Sequence, residues 1–342
     1  MRAWRVHRLG EPGDVMVLDD IDPPVAGPGE VLLDVAAASL NFPDVLMCRG
    51  KYQNTPTLPF VVGGEVAGTV AALGEGVTGL EVGQRVLGLT GTGGLCEQAL
   101  APAAVTFPIP DTLEDAPAAA LHIVYQTGHI GLHRRAGLVA GETLLVHAGA
   151  GGVGSAAIQL GVAAGARVIA TAGGAEKVAV CRGLGADLAI DYREDDFVAA
   201  VKEATAGRGA DVIYDPVGGD VFDRSLKCIA WEGRLLVIGF ASGRIPELPA
   251  NRALLKNCSV VGVNWGMYNL MNPELIRRTH DDLMALHAAG KIAPLVSEVL
   301  AMTEAGSATQ RLADRGTVGK IVVDTTGATS GTMTGSGIGS DG

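Results

Sequence analysis

Paired cysteines, a basic surplus and long apolar runs are what this sequence is short of, and each shortage closes off a class of protein. The five cysteines, Cys48, Cys96, Cys181, Cys228 and Cys258, are scattered without a Cys-x-x-Cys pair. Neither a disulfide framework nor a clustered zinc site is written into them, and they read as small buried hydrophobes in a reducing compartment. A net charge of -11 leaves no excess of Lys and Arg to displace counterions from a phosphate backbone, so nucleic acid is not an expected partner. No uninterrupted apolar segment is long enough to span a bilayer, and Met1 to Asp20 carries charges where a signal peptide has its apolar core. The expectation is a cytoplasmic protein with no membrane partner. With 48% hydrophobic and only 18% charged residues in 342, the chain should fold as two ordinary domains, each with its own core.

Glycine is abundant, at 49 residues, and one stretch gives it a purpose. Thr143 to Val146 is a run short enough for a buried strand, and it leads through His147 into Gly149-x-Gly151-x-x-Gly154 and then the helical-looking Ser155 to Gly165. Gly149 permits a sharp turn, Gly151 lets the backbone approach a pyrophosphate, and Gly154 lets the helix pack close on the strand. Gly149, Ala150, Gly151, Gly152, Val153 and Gly154 are thus expected to bind a cofactor, with the free N–H groups of the helix start facing its phosphates. The motif alone is weak in so glycine-rich a chain. A second strand, Arg167 to Thr171, follows at βαβ spacing and makes it a dinucleotide turn.

Sites that prefer NAD place a carboxylate about twenty residues past the glycines, on the ribose hydroxyls. Here the second strand ends in Thr171-Ala172-Gly173-Gly174-Ala175-Glu176-Lys177, with no carboxylate at its tip. Lys177 could pair with a 2′-phosphate as a flexible point charge, so NADPH is the expected cofactor. The bland alternative makes Lys177 a solvated helix residue.

Up to about Val124 the pattern is short β segments divided by Gly and Pro: 2–5, 15–18, 30–38, 61–73, 85–89 and 97–102, with a short helix near 41–49. From Tyr125 strands alternate with helices, which signals a parallel sheet. Further strands are expected at 188–192, 211–215, 234–239 and 259–264, separated by helices near 175–184, 197–206, 220–230 and 252–255. Six strands make a full doubly wound fold. The later elements, a helix over 273–289, strands at 296–300 and 320–324 and a helix near 303–312, are expected to return to the first domain. The expected division is therefore 1–124 with 266–324 as a β-rich domain, 125–265 as the Rossmann domain, and 325–342 as a disordered tail rich in Gly, Ser and Thr.

A β-rich domain, an inserted dinucleotide domain and a returning segment together resemble the medium-chain dehydrogenase/reductase superfamily. Gly63-Gly64-Glu65-Val66-Ala67-Gly68 is similar to its Gly-His-Glu-x-x-Gly motif, with Gly64 where zinc-dependent members have a metal-binding His. Asn41, in Ser39-Leu40-Asn41-Phe42-Pro43-Asp44, stands where those members have a Cys ligand, and the third ligand region, around Ala119, offers no cysteine. A catalytic zinc needs three protein ligands and an open position, so no metal site is expected. The match resembles the zinc-free quinone oxidoreductase branch, which includes zeta-crystallin, and implies an α/β fold with a β-rich GroES-like catalytic domain beside the six-stranded Rossmann domain.

That resemblance implies an NADPH-dependent reductase of quinones or α,β-unsaturated carbonyls, whose acceptors are electrophilic enough to take hydride while hydrogen-bond donors stabilise the developing oxyanion. It places Asn41 and Tyr52 beside the nicotinamide and Thr127 near its carboxamide, in positioning roles. For Asn41 the competing reading is helix capping, and for Tyr52 a core aromatic. By the same resemblance Gly173, Lys177 and Tyr192 hold the adenosine phosphate end, Ile238, Gly239, Phe240, Val263 and Asn264 line the nicotinamide, and Lys320 approaches from the returning segment. Two rivals are an enoyl-thioester reductase and an NADPH-binding sensor or structural protein with little turnover. His122, His129 and His133, with no carboxylate or thiolate in evidence beside them, read as packed or surface histidines. The strand Ser259 to Asn264, at a sheet edge, would leave its backbone unpaired, so a homodimer is expected.

Overall fold

Gly and Pro cut the first 120 residues into runs too short for anything but strands and brief helices. The computed structural model, which describes residues 1–327, builds them as β1 (Arg2–Val6), α1 (Pro12–Val15), β2 (Met16–Asp20), β3 (Glu30–Ser39), α2 (Phe42–Cys48), β4 (Phe60–Val61), β5 (Glu65–Leu73), β6 (Arg85–Leu89), β7 (Gln98–Pro102), β8 (Thr106–Pro108) and α3 (Asp115–Ala119). The run 61–73, expected as one strand, is broken between β4 and β5. Gly63 there has φ +104, and a Cβ on it would lie 2.5 Å from the Leu95 backbone nitrogen, so the chain turns where no side chain fits.

Next come α4 (His122–His129), continued by a π-helical turn over Ile130–Arg135, and then β9 (Thr143–Val146), α5 (Gly152–Ala163), β10 (Arg167–Ala172), α6 (Ala175–Gly183), β11 (Leu188–Asp191), α7 (Phe197–Ala204), β12 (Ala210–Asp215), α8 (Gly219–Ser225), β13 (Ile229–Val237), α9 (Ala250–Lys256), β14 (Ser259–Gly262), α10 (Tyr268–Met271) and α11 (Pro273–Ala288). The six strands form one sheet in the order β11-β10-β9-β12-β13-β14, every pair parallel. This is the doubly wound order, with its reversal beside β9. Leu144 to Val146, Val168 to Ala170 and Val212 to Tyr214 are fully buried, as central parallel strands covered on both faces must be. The helix expected over 220–230 stops at Ser225, and β13 begins at Ile229 rather than 234. Buried Ile229 pairs early with Ala210, ahead of a bulge.

The chain closes with β15 (Val296–Ala301), α12 (Ala305–Ala313) and β16 (Lys320–Asp324). These join the sheet β15-β16-β3-β5-β6-β8, to which β7 adds by pairing with β3; β2-β1-β4 form a separate small sheet. The described residues divide into two units, Met1–Ala120 with 296–327, and Leu121–Leu295. The stretch 266–295, expected with the β-rich domain, thus belongs to the sheet of six. The bonds responsible are Gln126 Nε2 donating to Ile276 O at 2.9 Å, Gln159 Nε2 to Ala293 O at 3.0 Å, and Ala293 N to Gln159 Oε1 at 2.7 Å, with Ile276 and Leu283 buried. The boundary falls at Leu121 rather than 125 because α4 goes with the same unit. Of the expected tail, Thr325 is buried and its hydroxyl donates to Val35 O. The rest of that call, from residue 328, lies outside the described residues.

Candidate functional site

Parallel strands send all their C-terminal ends to one edge of a sheet, and most of the expected cofactor residues in the Leu121–Leu295 unit stand along that edge. Past β9, Gly149 N donates to Thr171 O at 2.9 Å and Gly151 N to Ala148 O at 2.9 Å. A Cβ on Gly149 would meet Cys181 Sγ at 2.8 Å, and one on Gly154 would run into Ala148 O. Gly149 and Gly154 therefore serve close packing, while the positive φ of the turn, 51°, falls on Ala148. That corrects the turn-making role expected of Gly149. Gly151 differs, since a Cβ there would meet only Ala148 O, at 3.3 Å. As N-cap of α5 it supplies no side chain, so the first-turn N–H groups of Gly152, Val153 and Gly154 stay available to an anion. The open cradle at Gly151 and these donors fit the pyrophosphate of a dinucleotide.

His147 closes β9 beneath the turn. Ser225 Oγ donates to Val221 O at 2.7 Å, so it accepts from His147 Nε2 at 2.8 Å, and Thr171 Oγ1 at 2.9 Å donates to Nδ1. Burial pushes the imidazole down to about 3, which keeps it neutral and structural. Gly173 and Tyr192 meet at the tips of β10 and β11, where a Cβ on Gly173 would lie 2.6 Å from Tyr192 Oη, and Lys177 stands in the first turn of α6. Ile238, Gly239 and Phe240 follow β13, and Val263 and Asn264 follow β14; Ile238 N donates to Asp215 O at 3.0 Å and Val263 N to Val237 O at 3.1 Å. Thr127, on α4, is buried with its hydroxyl donating to Ile123 O at 2.6 Å.

In the β-rich unit, register brings three strand ends together: Ser39 pairs with Glu65 and with Val322. Asn41, Glu65 and Lys320 consequently converge. Lys320 Nζ donates to Leu40 O at 3.0 Å, Asn41 Oδ1 at 2.5 Å and Glu65 Oε1 at 2.9 Å, and the Lys320 and Glu65 side chains are only 5% and 1% exposed. Asn41 Nδ2 donates to Ser39 O at 3.2 Å and Glu65 Oε1 at 3.0 Å. Asn41 is the N-cap residue of α2, yet its side chain is spent here. The capping acceptor is Asp44, whose Oδ2 takes Asn41 N at 2.7 Å. Burial raises the Asp44 carboxyl to about 7, only partly offset by the Asn41 N–H and the Lys320 charge. Tyr52 is half-buried against the same core, its phenol pushed up by burial and by Asp44.

The alcohol dehydrogenase GroES-like domain family matches this chain at residues 27–111 and the zinc-binding dehydrogenase family at residues 152–281. A quinone oxidoreductase-like protein 2 homologue of Nematostella vectensis is 41% identical over 327 residues, covering 95% of this chain and 89% of that protein. The chain belongs to the zinc-free quinone oxidoreductase branch of the medium-chain dehydrogenases/reductases. Among solved structures of this superfamily, a mycobacterial protein complexed with NADPH matches with a TM-score of 0.89 at 35% identity, covering 95% of this chain and 100% of that one. The Escherichia coli quinone oxidoreductase complexed with NADPH gives 0.88 at 29% identity, covering 95% and 100%.

For a member of this branch, the sequence reading missed Glu65 and Asp44 as parts of the buried cluster, although both stood in motifs it quoted. It also found no carboxylate near the histidines. Asp282 comes within 3.7 Å of His129, whose ring lies 4.6 Å from that of His133. Burial holds His129 down to about 4, despite Asp282, and lowers His133 as well. Among the described residues no three His, Cys, Asp or Glu side chains are grouped so as to hold a metal ion, and no helix is long and apolar enough to cross a membrane.

Proposed function

We propose that this protein is an NADPH-dependent, zinc-independent reductase of quinones or α,β-unsaturated carbonyl compounds. The observation that carries the reading is the uncapped α5 N-terminus at the sheet's reversal point, joined to a β10 tip whose Gly173-Gly174 pair takes the place of a ribose-binding carboxylate. When bound, NADPH supplies hydride to the acceptor. Gly151 to Gly154 hold its pyrophosphate, Lys177 and Tyr192 its adenosine phosphate end, and Ile238 to Phe240 with Val263 and Asn264 support the nicotinamide. Asn41, Tyr52 and Thr127 orient cofactor and acceptor, and Lys320 contributes through Asn41. NADPH consumption measured across quinones, enones and enoyl thioesters, with NADH and a chelator as controls, tests this. Turnover with quinones or enones that survives chelation is the expected result. Failure of NADPH to bind overturns it, and preference for enoyl thioesters moves the substrate class.

We further propose a cytoplasmic homodimer. The five free, buried cysteines suit a reducing compartment. The edge strand β14 has exposed or half-buried residues throughout, and exposed Leu254, Leu255, Leu270 and Met271 are apolar surface from the segments flanking it in sequence. A second copy would cover both the open edge and the apolar surface.

A further inference from the structure

We propose that His129, His133 and Asp282 form a surface binding site for one divalent cation of the zinc type, which on binding braces the end of α4 against α11. Residues four apart on a helix are neighbours on its surface. His129 closes α4 and His133 lies in the π-helical turn that continues it, a winding found often at functional sites. The two rings lie 4.6 Å apart, centroid to centroid, inclined at 60°. From the other helix Asp282 brings a carboxylate oxygen to 3.7 Å from His129 Nε2. Two imidazoles and one carboxylate are a donor set that zinc takes in sites completed by water.

Each donor is in the state an ion requires. An imidazole binds metal only through a nitrogen that carries no proton, and burial favours the neutral form of both rings, holding His129 down to about 4 and His133 below its ordinary value. No proton therefore has to leave when the ion arrives. The contact between His129 and Asp282 joins a neutral ring to a carboxylate beyond hydrogen-bond length, so neither gives up a lone pair to the other. His129 is 16% exposed and Asp282 63%, which leaves the ring held and the carboxylate able to turn. As they stand, no three such side chains among the described residues are grouped to hold an ion, and rotation of Asp282 closes the set. The adjoining cations are turned to other partners: Arg134 lies over the Tyr268 ring at 6.0 Å, and Arg135 Nε donates to Gly262 O at 3.2 Å. None of the three ligands is among the residues assigned to cofactor or acceptor, so this ion is no part of the proposed reduction.

The test is calorimetric titration of the full chain with Zn²⁺, alongside H133Q, D282N and, as control, H7Q, which removes the exposed histidine beside Asp19. Wild type is expected to bind with a Kd of about 10 µM, H133Q at least about tenfold and D282N about threefold more weakly, and H7Q like wild type. At about 100 times Kd, Zn²⁺ should raise the wild-type melting temperature by roughly 5 °C and that of H133Q by less than about 2 °C. The metal-free melting temperature of each variant shows that it has folded. Zinc affinity unchanged in H133Q, a loss in H7Q as large as in H133Q, or no wild-type binding at about 1 mM overturns the site. D282N binding like wild type overturns the brace across to α11.

Discussion

Replacing Lys320 by methionine keeps the length of the buried stem and removes only its ammonium. Leu40 O, Asn41 Oδ1 and Glu65 Oε1 lose a shared donor, and a carboxylate 1% exposed is left without its cation. Breaking a buried pair from one side costs about 3–5 kcal/mol. K320M should therefore unfold about 3–5 kcal/mol more easily than wild type. For a unit of this size the melting temperature should drop by roughly 10 °C.

Denaturant unfolding of wild type, K320M, E65Q and the double variant K320M/E65Q measures this directly. The double variant removes both charges and should recover at least half of the K320M loss. A K320M protein within about 1 kcal/mol of wild type, or a double variant showing the sum of the two single losses, would refute the reasoning.

D44N tests the other buried carboxyl. Its folded pKa of about 7 lies above the ordinary aspartate value of 3.8, so the folded state holds the extra proton, and wild-type stability should fall as pH rises from about 4 to 7 and level off above. D44N, which keeps an acceptor for Asn41 N, should flatten that slope and be the more stable protein at pH 8, by up to about 4 kcal/mol in urea unfolding. G154A, whose Cβ would run into Ala148 O, should lose about 1–3 kcal/mol of stability. G151A, with only one neighbour at 3.3 Å, should melt near wild type, and both should bind NADPH at least about tenfold more weakly in a fluorescence titration. L254D places a charge on the exposed apolar surface of α9, and sedimentation velocity is expected to give a dimer for wild type and a monomer for L254D.

Period and punctuation carried much of the fold. The strand, glycine turn and helix at 143–163 could be read because strand and helix there each keep one periodicity between flanking glycines. The border at 225–229 could not, because buried apolar residues suit a helix face as well as a covered strand, and pairing with Ala210 decided it. The allocation of 266–295 turned on two glutamine amides, Gln126 and Gln159, reaching about 150 and 134 positions along the chain, which no local pattern encodes. The cluster around Lys320 was hidden for the same reason, since its ammonium meets Asn41 across 279 positions.

The buried cluster also constrains how Asn41 can act. A carboxamide has two N–H donors and, on oxygen, two acceptor sites. Both donors of Asn41 are engaged, by Ser39 O and Glu65 Oε1, and one acceptor site is filled by Lys320. What remains is a single lone pair on Oδ1, so Asn41 can receive a hydrogen bond but cannot give one to a developing oxyanion without breaking its own support. All three Lys320 protons are committed as well, so its contribution is the field of a desolvated positive charge behind the amide rather than a donated proton. In the proposed reduction this leaves Asn41 as an acceptor, with Tyr52 as the hydroxyl of the expected set that α2 and its network do not consume. An amide held in one orientation by an ammonium on one side and a carboxylate on the other presents that lone pair in a fixed direction, which is what positioning a donor group of cofactor or acceptor requires.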